Sequence, residues 1–505
     1  MKRFLPNLTT VLHLLGSILL VVGFFFIIPL LYSALNGEIS TENTFYAFLF
    51  SATISLGTGL TLTRIFPEKP LNSVQAILVC SLGWIVISAV GAIPFVLGIG
   101  ANYLDAYFET MSGFTTTGIT MFTGLDSMPR SILLWRSIIQ WVGGLGILTF
   151  FLFVTSQISG IHTLFGAESH KINSKRLVPG MMNTIKILWG IYILFTLTII
   201  IALKIAGTSL FDSICHSFTA LSTGGFSPYD ASIAHYQIIG HANYIWIEYI
   251  IILGMLLGGT GFLIHYRILR RDFRALYDNT EMRLWVGFIT FFTLIIFLEI
   301  YLKSKGVFLN SDSGSFWKNI EENFRATLFQ VIAIITTTGF GTKDIGSPFF
   351  GYLANQLFLV MMVIGGCVGS TAGGIKMLRI GILFKLIKRE IHKVVSPRKS
   401  INYVLVDKNR INPDEIYRVT ALFFAWIALL VFGGIVTALF SDLDGLSSFS
   451  GMCSAVGNIG PCYISVEQMT QLNPIIKIVY IFGMLAGRLE ILPVFLLFSP
   501  RAWKY

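Results

Sequence analysis

The chain has 505 residues, of which 54% are hydrophobic and 12% charged, with a formal net charge of +10. A mean hydropathy of +0.74 excludes an ordinary water-soluble globule and points to a chain solvated largely by lipid. The positive charge does not indicate nucleic acid, because the basic residues sit in short segments between apolar runs rather than on one soluble face.

Apolar spans are expected near residues 11–33, 43–63, 74–98, 131–158, 183–206, 243–266, 284–303, 352–391, 416–440 and 473–498. Each meets or approaches the roughly 20 residues that cross a bilayer as a helix. Helices are required, since an open sheet would turn unpaired backbone groups toward lipid. The first run, Val11 to Leu31, is too long for a signal-peptide core and lacks an A-x-A site, so it reads as a helix. Between spans three and four, five and six, seven and eight, and nine and ten lies a shorter apolar stretch ending in Thr, Ser, Gly or Asn. Each reads as a re-entrant segment.

Charge sets the orientation. With both termini inside, Lys2, Arg3, Arg64, Lys69, the basic residues from Lys171 to Lys186, from Arg267 to Arg283 and from Lys376 to Arg418, and Arg501 with Lys504 all fall on the cytoplasmic side. The re-entrant segments then enter from outside. Asp105, Glu109, Asp126, Asp212, Asp230, Glu321, Glu322, Asp344, Asp442 and Asp444 lie at their mouths, where they would concentrate cations.

Four short strings align without gaps: Thr116-Thr117-Gly118-Ile119, Thr223-Gly224-Gly225-Phe226, Thr337-Thr338-Gly339-Phe340 and Asn458-Ile459-Gly460-Pro461. At a constant distance before the glycines, Leu104, Phe211, Arg325 and Leu446 stand at or near the start of a segment long enough for a helix of about three turns. Downstream, each following span is punctuated by glycine: Gly143-Gly144-Leu145-Gly146, Gly258-Gly259-Thr260-Gly261, Gly365-Gly366 through Gly374, and Gly483 with Gly487. Those downstream glycines read chiefly as close helix packing. The unit helix, re-entrant helix, turn, helix thus occurs four times. A dehydrated monovalent cation needs oxygens in place of its water, and backbone carbonyls supply them without a fixed charge that would hold it too tightly. Aiming carbonyls at one axis takes dihedrals that glycine adopts at little cost, and irregular backbone is tolerated at membrane depth where it lines a cavity.

Thr115-Thr116-Thr117-Gly118, Ser222-Thr223-Gly224-Gly225-Phe226, Thr336-Thr337-Thr338-Gly339-Phe340 and Gly457-Asn458-Ile459-Gly460-Pro461 resemble the four filter sequences of the Trk/Ktr/HKT superfamily of potassium transport proteins. The extra N-terminal pair, residues 11–63, is similar to the TrkH branch. The expected fold is an all-α polytopic membrane protein with four pseudo-symmetric helix/pore-loop/helix repeats around one central pore. Its divisions would be 1–69 for the extra pair, then repeats at 70–160, 161–272, 273–400 and 401–505.

The resemblance implies gated potassium uptake, with the ion held by backbone carbonyls of Thr116, Thr117, Gly118, Thr223, Gly224, Gly225, Thr337, Thr338, Gly339, Asn458, Ile459 and Gly460. It implies an intramembrane gating loop at Gly365, Gly366, Gly369, Ser370, Thr371, Gly373, Gly374 and Lys376, a stretch too rich in glycine for a stable helix. Arg488, deep in the last span, would face the pore beneath the filter; a structural ion pair with a carboxylate such as Glu490 is the alternative. A homodimer in the bacterial inner membrane and a cytoplasmic nucleotide-binding regulatory subunit of the TrkA type are also implied. The segments Arg267–Arg283 and Lys376–Arg410 are candidate docking surfaces, or serve orientation alone. No organic cofactor is expected in this chain.

The fourth string departs at Asn458 and Pro461, which leaves open a sodium-conducting or sodium/potassium cotransporting HKT-like protein. A proton-coupled carrier is less favoured, because Glu248, Glu299 and Glu490 do not recur in register. An enzyme is disfavoured further: the eight histidines form no HExxH, no GxSxG occurs, and the five cysteines have no metal spacing.

Overall fold

The computed structural model describes residues 5–38, 43–69, 71–156, 181–303, 313–397, 402–407 and 409–503. The expected basic residues Lys2, Arg3, Lys171, Lys175, Arg176, Arg398, Lys399, Lys408 and Lys504, and the end of the 131–158 span, lie outside them.

Two long helices come first, α1 (Leu5–Leu35) and α2 (Thr44–Ile65). They pack against one another, and α1 also touches the next repeat. Gly16 and Gly59 let them meet, since a Cβ on either would press on the other's carbonyl. Labelled by the expected divisions, repeat one then holds α3 (Ser73–Gly91), α4 (Ile93–Ile99), the short α5 (Tyr103–Phe114) and α6 (Arg130–Ser156). Repeat two is α7 (Met181–Ile205), the short α8 (Leu210–Leu221), α9 (Tyr244–Gly259) and α10 (Phe262–Leu269). Repeat three is α11 (Thr280–Lys303), α12 (Ser313–Ile335), α13 (Tyr352–Val363) and α14 (Met377–Val395). A two-residue hairpin, β1 (Leu405–Val406) and β2 (Asn409–Arg410), precedes repeat four. That repeat comprises α15 (Pro413–Phe440), the short α16 (Gly445–Gly457), α17 (Pro474–Arg488) and α18 (Leu492–Leu496).

The short helices begin at polar caps. Asn102, Ser209 and Asp444 each accept a bond from the first turn of α5, α8 and α16. At 12, 12 and 13 residues they rise about 18–20 Å, too little to cross a bilayer. Packing closes a cycle: α6 of repeat one lies against α8 of repeat two, α9 against α12, α13 against α16, and α17 against α5. The short helices are buried over most of their length, whereas α1, α7, α11 and α15 expose Phe24, Ile201, Leu294 and Phe432. Large apolar side chains turned outward on long helices are the pattern lipid stabilises and water does not.

Among the described residues, six helices are long and apolar enough to cross a membrane. The protein is therefore multi-pass. Several expected spans are not continuous. The 243–266 span bends by 105° between α9 and α10. The bend frees Gly258 and Gly259 carbonyls, which accept the amides of Thr371 and Cys367 at 3.1 and 3.0 Å. The 352–391 span is interrupted by an irregular loop at 364–376, and the 473–498 span breaks at Glu490 and Ile491, both with positive φ. The third re-entrant helix also differs from its expected start near Arg325. It begins at Ser313, so Arg325 sits mid-helix, where Glu321 one turn earlier meets its Nε at 2.8 Å.

Candidate functional site

The four re-entrant helices end alike. Thr116, Thr223, Thr337 and Asn458 have left-handed φ of 53°, 54°, 54° and 53°. Two residues on, Gly118, Gly225, Gly339 and Gly460 are positive again, at 83°, 76°, 83° and 106°. The terminal hydrogen bond repeats as well: the amides of Thr117, Gly224, Thr338 and Ile459 donate to the carbonyls of Ser112, Thr219, Ala333 and Ser454 at 2.8, 2.9, 2.8 and 3.1 Å. This is a Schellman cap, whose left-handed position usually holds glycine. A side chain there costs about 1–2 kcal/mol. Four in-phase residues hold that conformation on non-identical sequences.

The loops close a ring. A Cβ on Gly118 would strike the Gly224 carbonyl, one on Gly225 the Thr338 carbonyl, and one on Gly339 the Ile459 carbonyl. One on Gly460 would lie 3.1 Å from the Thr117 carbonyl, which returns the sequence to loop one. All four glycines line a single cavity of about 490 Å³. Of the ten acids expected at the mouths, Asp230 and Asp344 line it, joined by Glu467 on the short helix Val466–Gln471 and by Lys343. Partial burial, with Asp126 beside it, holds the Asp230 carboxyl above the usual carboxylate range. Several of the other acids have structural work: Asp105 meets Lys477 at 2.6 Å, Glu109 meets Arg136, Asp212 accepts the hydroxyl of the α8 cap Ser209 at 2.7 Å, Asp444 caps α16, Glu321 meets Arg325, and Glu322 accepts from Gln237.

The 364–376 loop does not line this cavity but reaches three repeats. Its base is pinned by a parallel bridge between Ile364 and Ile375, with the Gly365 amide on the Ile375 carbonyl and the Met377 amide on the Gly366 carbonyl. Gly369 and Gly374 supply the positive φ its turns need, and the Gly369 carbonyl accepts the Phe262 amide. Ser370 folds back on the Cys367 carbonyl, and Lys376 Nζ bonds the Ala372 carbonyl at 2.6 Å. At the tip, Thr371 Oγ1 donates to the Leu221 and Gly258 carbonyls, both at 3.0 Å, and the Gly373 amide donates to Thr337 Oγ1 at 2.6 Å. Thus the loop is tied directly to the left-handed threonine of loop three.

Arg488, at the C-terminus of α17, is 6% exposed. Its Nη1 donates to the Thr371 carbonyl at 2.6 Å, while Nη2 reaches the Gly143 and Gly144 carbonyls at 3.1 and 3.3 Å. It therefore joins repeat four, the loop and repeat one. Glu490 instead bonds Arg379 at 2.6 Å, and Glu248 bonds Arg325. Glu299 accepts the amides at the start of α13.

A family model described as TrkH, cation transport protein, matches residues 40–505. The chain belongs to the TrkH family. It is 33% identical over 485 residues to a Trk system potassium uptake protein TrkH of Escherichia coli, covering 95% of each chain. A cation transporter of Methanocaldococcus jannaschii is 31% identical, with 98% of this chain and 96% of that one aligned. The crystal structure of the potassium transporter TrkH from Vibrio parahaemolyticus superposes with a TM-score of 0.84 at 27% identity, covering 98% and 99% of the two chains. Membership in this family of cation transport proteins bears out the reading against an enzyme.

Sequence reasoning missed the residues that brace the TrkH-type loops from behind. Gln140 grips loop two at both ends, donating to the Gly224 carbonyl at 2.6 Å and accepting the Phe226 amide at 2.9 Å. Arg136 meets Glu109 at 2.8 Å, donates to the Ser227 carbonyl and lies over the Phe226 ring, while Glu109 accepts the Met121 amide. Glu109 is fully buried, so removing its partner strands a charge. Arg136→Leu is expected to lower unfolding stability by about 3–5 kcal/mol, read as a depressed thermal midpoint of the purified protein in detergent. A midpoint equal to the parent's would show the pair to be dispensable. The signal for it was available in principle: an arginine and a glutamate inside apolar segments each need a partner.

Proposed function

We propose that this TrkH-family chain carries potassium into the cell through the ring of four loops. The observation that carries the reading is the in-phase geometry: four left-handed residues and four glycines, each glycine facing the next loop's carbonyl. Carbonyls so placed replace a cation's hydration shell while binding it weakly enough to release it. The C-terminal ends of α5, α8, α12 and α16 add partial negative charge at the same level. Thr116 Oγ1 and Asn458 Oδ1 support the same site, being buried oxygens without a hydrogen-bond partner. That relatives are named potassium uptake proteins supports potassium as the ion.

Ions would enter from outside past Asp230, Asp344 and Glu467, whose field raises the local cation concentration. Because the Asp230 carboxyl titrates above the usual carboxylate range, its share of that field is lost at a higher external pH than that of an ordinary aspartate. Membrane potential then contributes about 2.3 kcal/mol per charge per 100 mV. Below the ring, the 364–376 loop and Arg488 form the gate, and a shift of the loop away from Thr337 opens the path. The reading includes both termini in the cytoplasm of a bacterial inner membrane, a homodimer, and control by a nucleotide-binding subunit of the TrkA type docking on the basic segments 267–283 and 376–410.

Liposomes holding the purified chain test this when potassium, sodium and proton fluxes are measured separately. Potassium flux exceeding sodium flux by about tenfold or more, equivalent to roughly 1.4 kcal/mol of discrimination, is the expected result. Equal sodium flux would favour the HKT-like reading, for which the looser fourth loop, with its Gly460 φ of 106°, is the supporting observation. No cation flux with or without a nucleotide-binding partner would reject conduction altogether.

A further inference from the structure

We propose that Glu281 is a positioning residue that sets the resting place of the 364–376 loop, and that the β1–β2 hairpin holds Glu281 in register through Asp407. The inference rests on that loop being the gate.

Glu281 lies in the first turn of α11 and is 2% exposed. A carboxylate near a helix N-terminus has an unremarkable local explanation, favourable interaction with the helix dipole. Its Oε1, however, leaves the helix. It accepts the Val368 amide at 2.8 Å and the Leu378 amide at 3.2 Å, 87 and 97 residues along the chain. One atom thereby grips the entering limb of the loop and the first turn of α14, on either side of the segment that contacts Thr337 and Arg488. Charge-assisted bonds of this kind, in a buried setting, are roughly twice as strong as neutral ones.

The residue beside Glu281 is held from elsewhere. Asp407 Oδ1 accepts both the Thr280 amide, at 2.8 Å, and Thr280 Oγ1, at 2.6 Å. Asp407 sits in the hairpin turn with φ 48°. The hairpin has a second hold on the same parts: Val406 is buried with Leu378, Ile382 and Val419, and Val368 packs against that cluster. Lys385 of α14 bonds the Leu405 carbonyl at 2.6 Å. This small core is separate from the main one, so hairpin, loop limb and α14 share contacts that can shift together. A push on the hairpin therefore moves Thr280 and Val406, and through them both grips on the loop.

The test is potassium flux through the reconstituted full chain, together with alkylation of Cys367, a loop residue with 0% exposure, in a background where the other four cysteines are alanine. Glu281→Ala is expected to raise flux and Cys367 labelling about tenfold or more, the shift that follows from losing the charge-assisted hydrogen bonds to the Val368 and Leu378 amides. Glu281→Gln keeps an acceptor oxygen and should return both toward the parent. Asp407→Ala, at the periphery, acts on the loop only through Thr280 and Val406 and should raise both by about threefold, the low end of what a lost hydrogen bond shifts; it carries the test if Glu281→Ala does not fold. The potassium-to-sodium ratio should stay constant throughout. Parental flux and labelling in Asp407→Ala and in any folded Glu281→Ala would overturn the inference while leaving conduction intact. Deleting 368–373 without any rise in flux would instead overturn the gate on which it rests.

Discussion

Gly339→Ser is expected to cut the potassium-over-sodium flux ratio by about tenfold or more, with a smaller effect on the total amount of folded protein. Two independent penalties meet at this position. The backbone is left-handed, at φ 83°, which costs a side chain about 1–2 kcal/mol. In addition, the new Cβ would collide with the Ile459 carbonyl and crowd Pro461. Neither neighbour yields cheaply, because one is backbone and the other a ring. Relief must come from rotating or displacing the Ile459 carbonyl, one of the oxygens proposed to hold the ion. The ring predicts an order among the four copies. Gly225 and Gly339 have the tightest approach to the next loop, Gly118 a slightly looser one, and Gly460 stands 3.1 Å from the nearest oxygen. Serine at 225 or 339 should therefore be the most damaging and at 460 the least. Four equal effects, or an unchanged ion preference at 339, would show that these glycines serve packing alone.

The in-phase glycines were legible because repetition survives where composition drifts. Asn458 occupies the left-handed site that threonine holds in the other loops, with the same φ within 1°. Asparagine tolerates that conformation well, which explains why a string that departs in sequence does not depart in backbone. Helix existence was legible for the same reason as in any membrane chain: a long apolar run has few other solutions. Continuity was not. Hydropathy is blind to the break at Glu490 and Ile491 and to the bend after Gly259, since both lie within apolar stretches; at the bend, the freed Gly258 and Gly259 carbonyls are satisfied by Thr371 and Cys367, far along the chain. The same blindness hid Gln140 and Glu281. Their roles depend on partners such as Gly224 and Val368, far along the chain. Charge alone also overassigned the mouth, because Glu109 and Asp105 are consumed by Arg136 and Lys477.

Arg488→Ala is expected to raise potassium flux by about tenfold or more, and the comparison with Arg488→Lys separates its two contributions. As a charge, a guanidinium in the proposed path opposes a passing cation. At about 4 Å and an effective dielectric of about 20 that repulsion is on the order of 4 kcal/mol. As a latch, it spans three carbonyls: Thr371 on the loop and Gly143 with Gly144 on α6. Lysine retains the charge but lacks the planar fork that reaches both sides. If repulsion dominates, Arg488→Lys conducts like the parent and only Arg488→Ala is fast. If the latch dominates, both variants are fast and the loop is the element released. The geometry favours a large latch component, because the shortest bond, 2.6 Å, goes to the loop itself, at the residue whose side chain also bonds the Leu221 and Gly258 carbonyls. Lysine should therefore give an intermediate rate, closer to alanine than to arginine. Single-channel or flux recordings of the two variants at matched protein density measure this, and a lysine variant indistinguishable from the parent would assign Arg488 to the barrier alone.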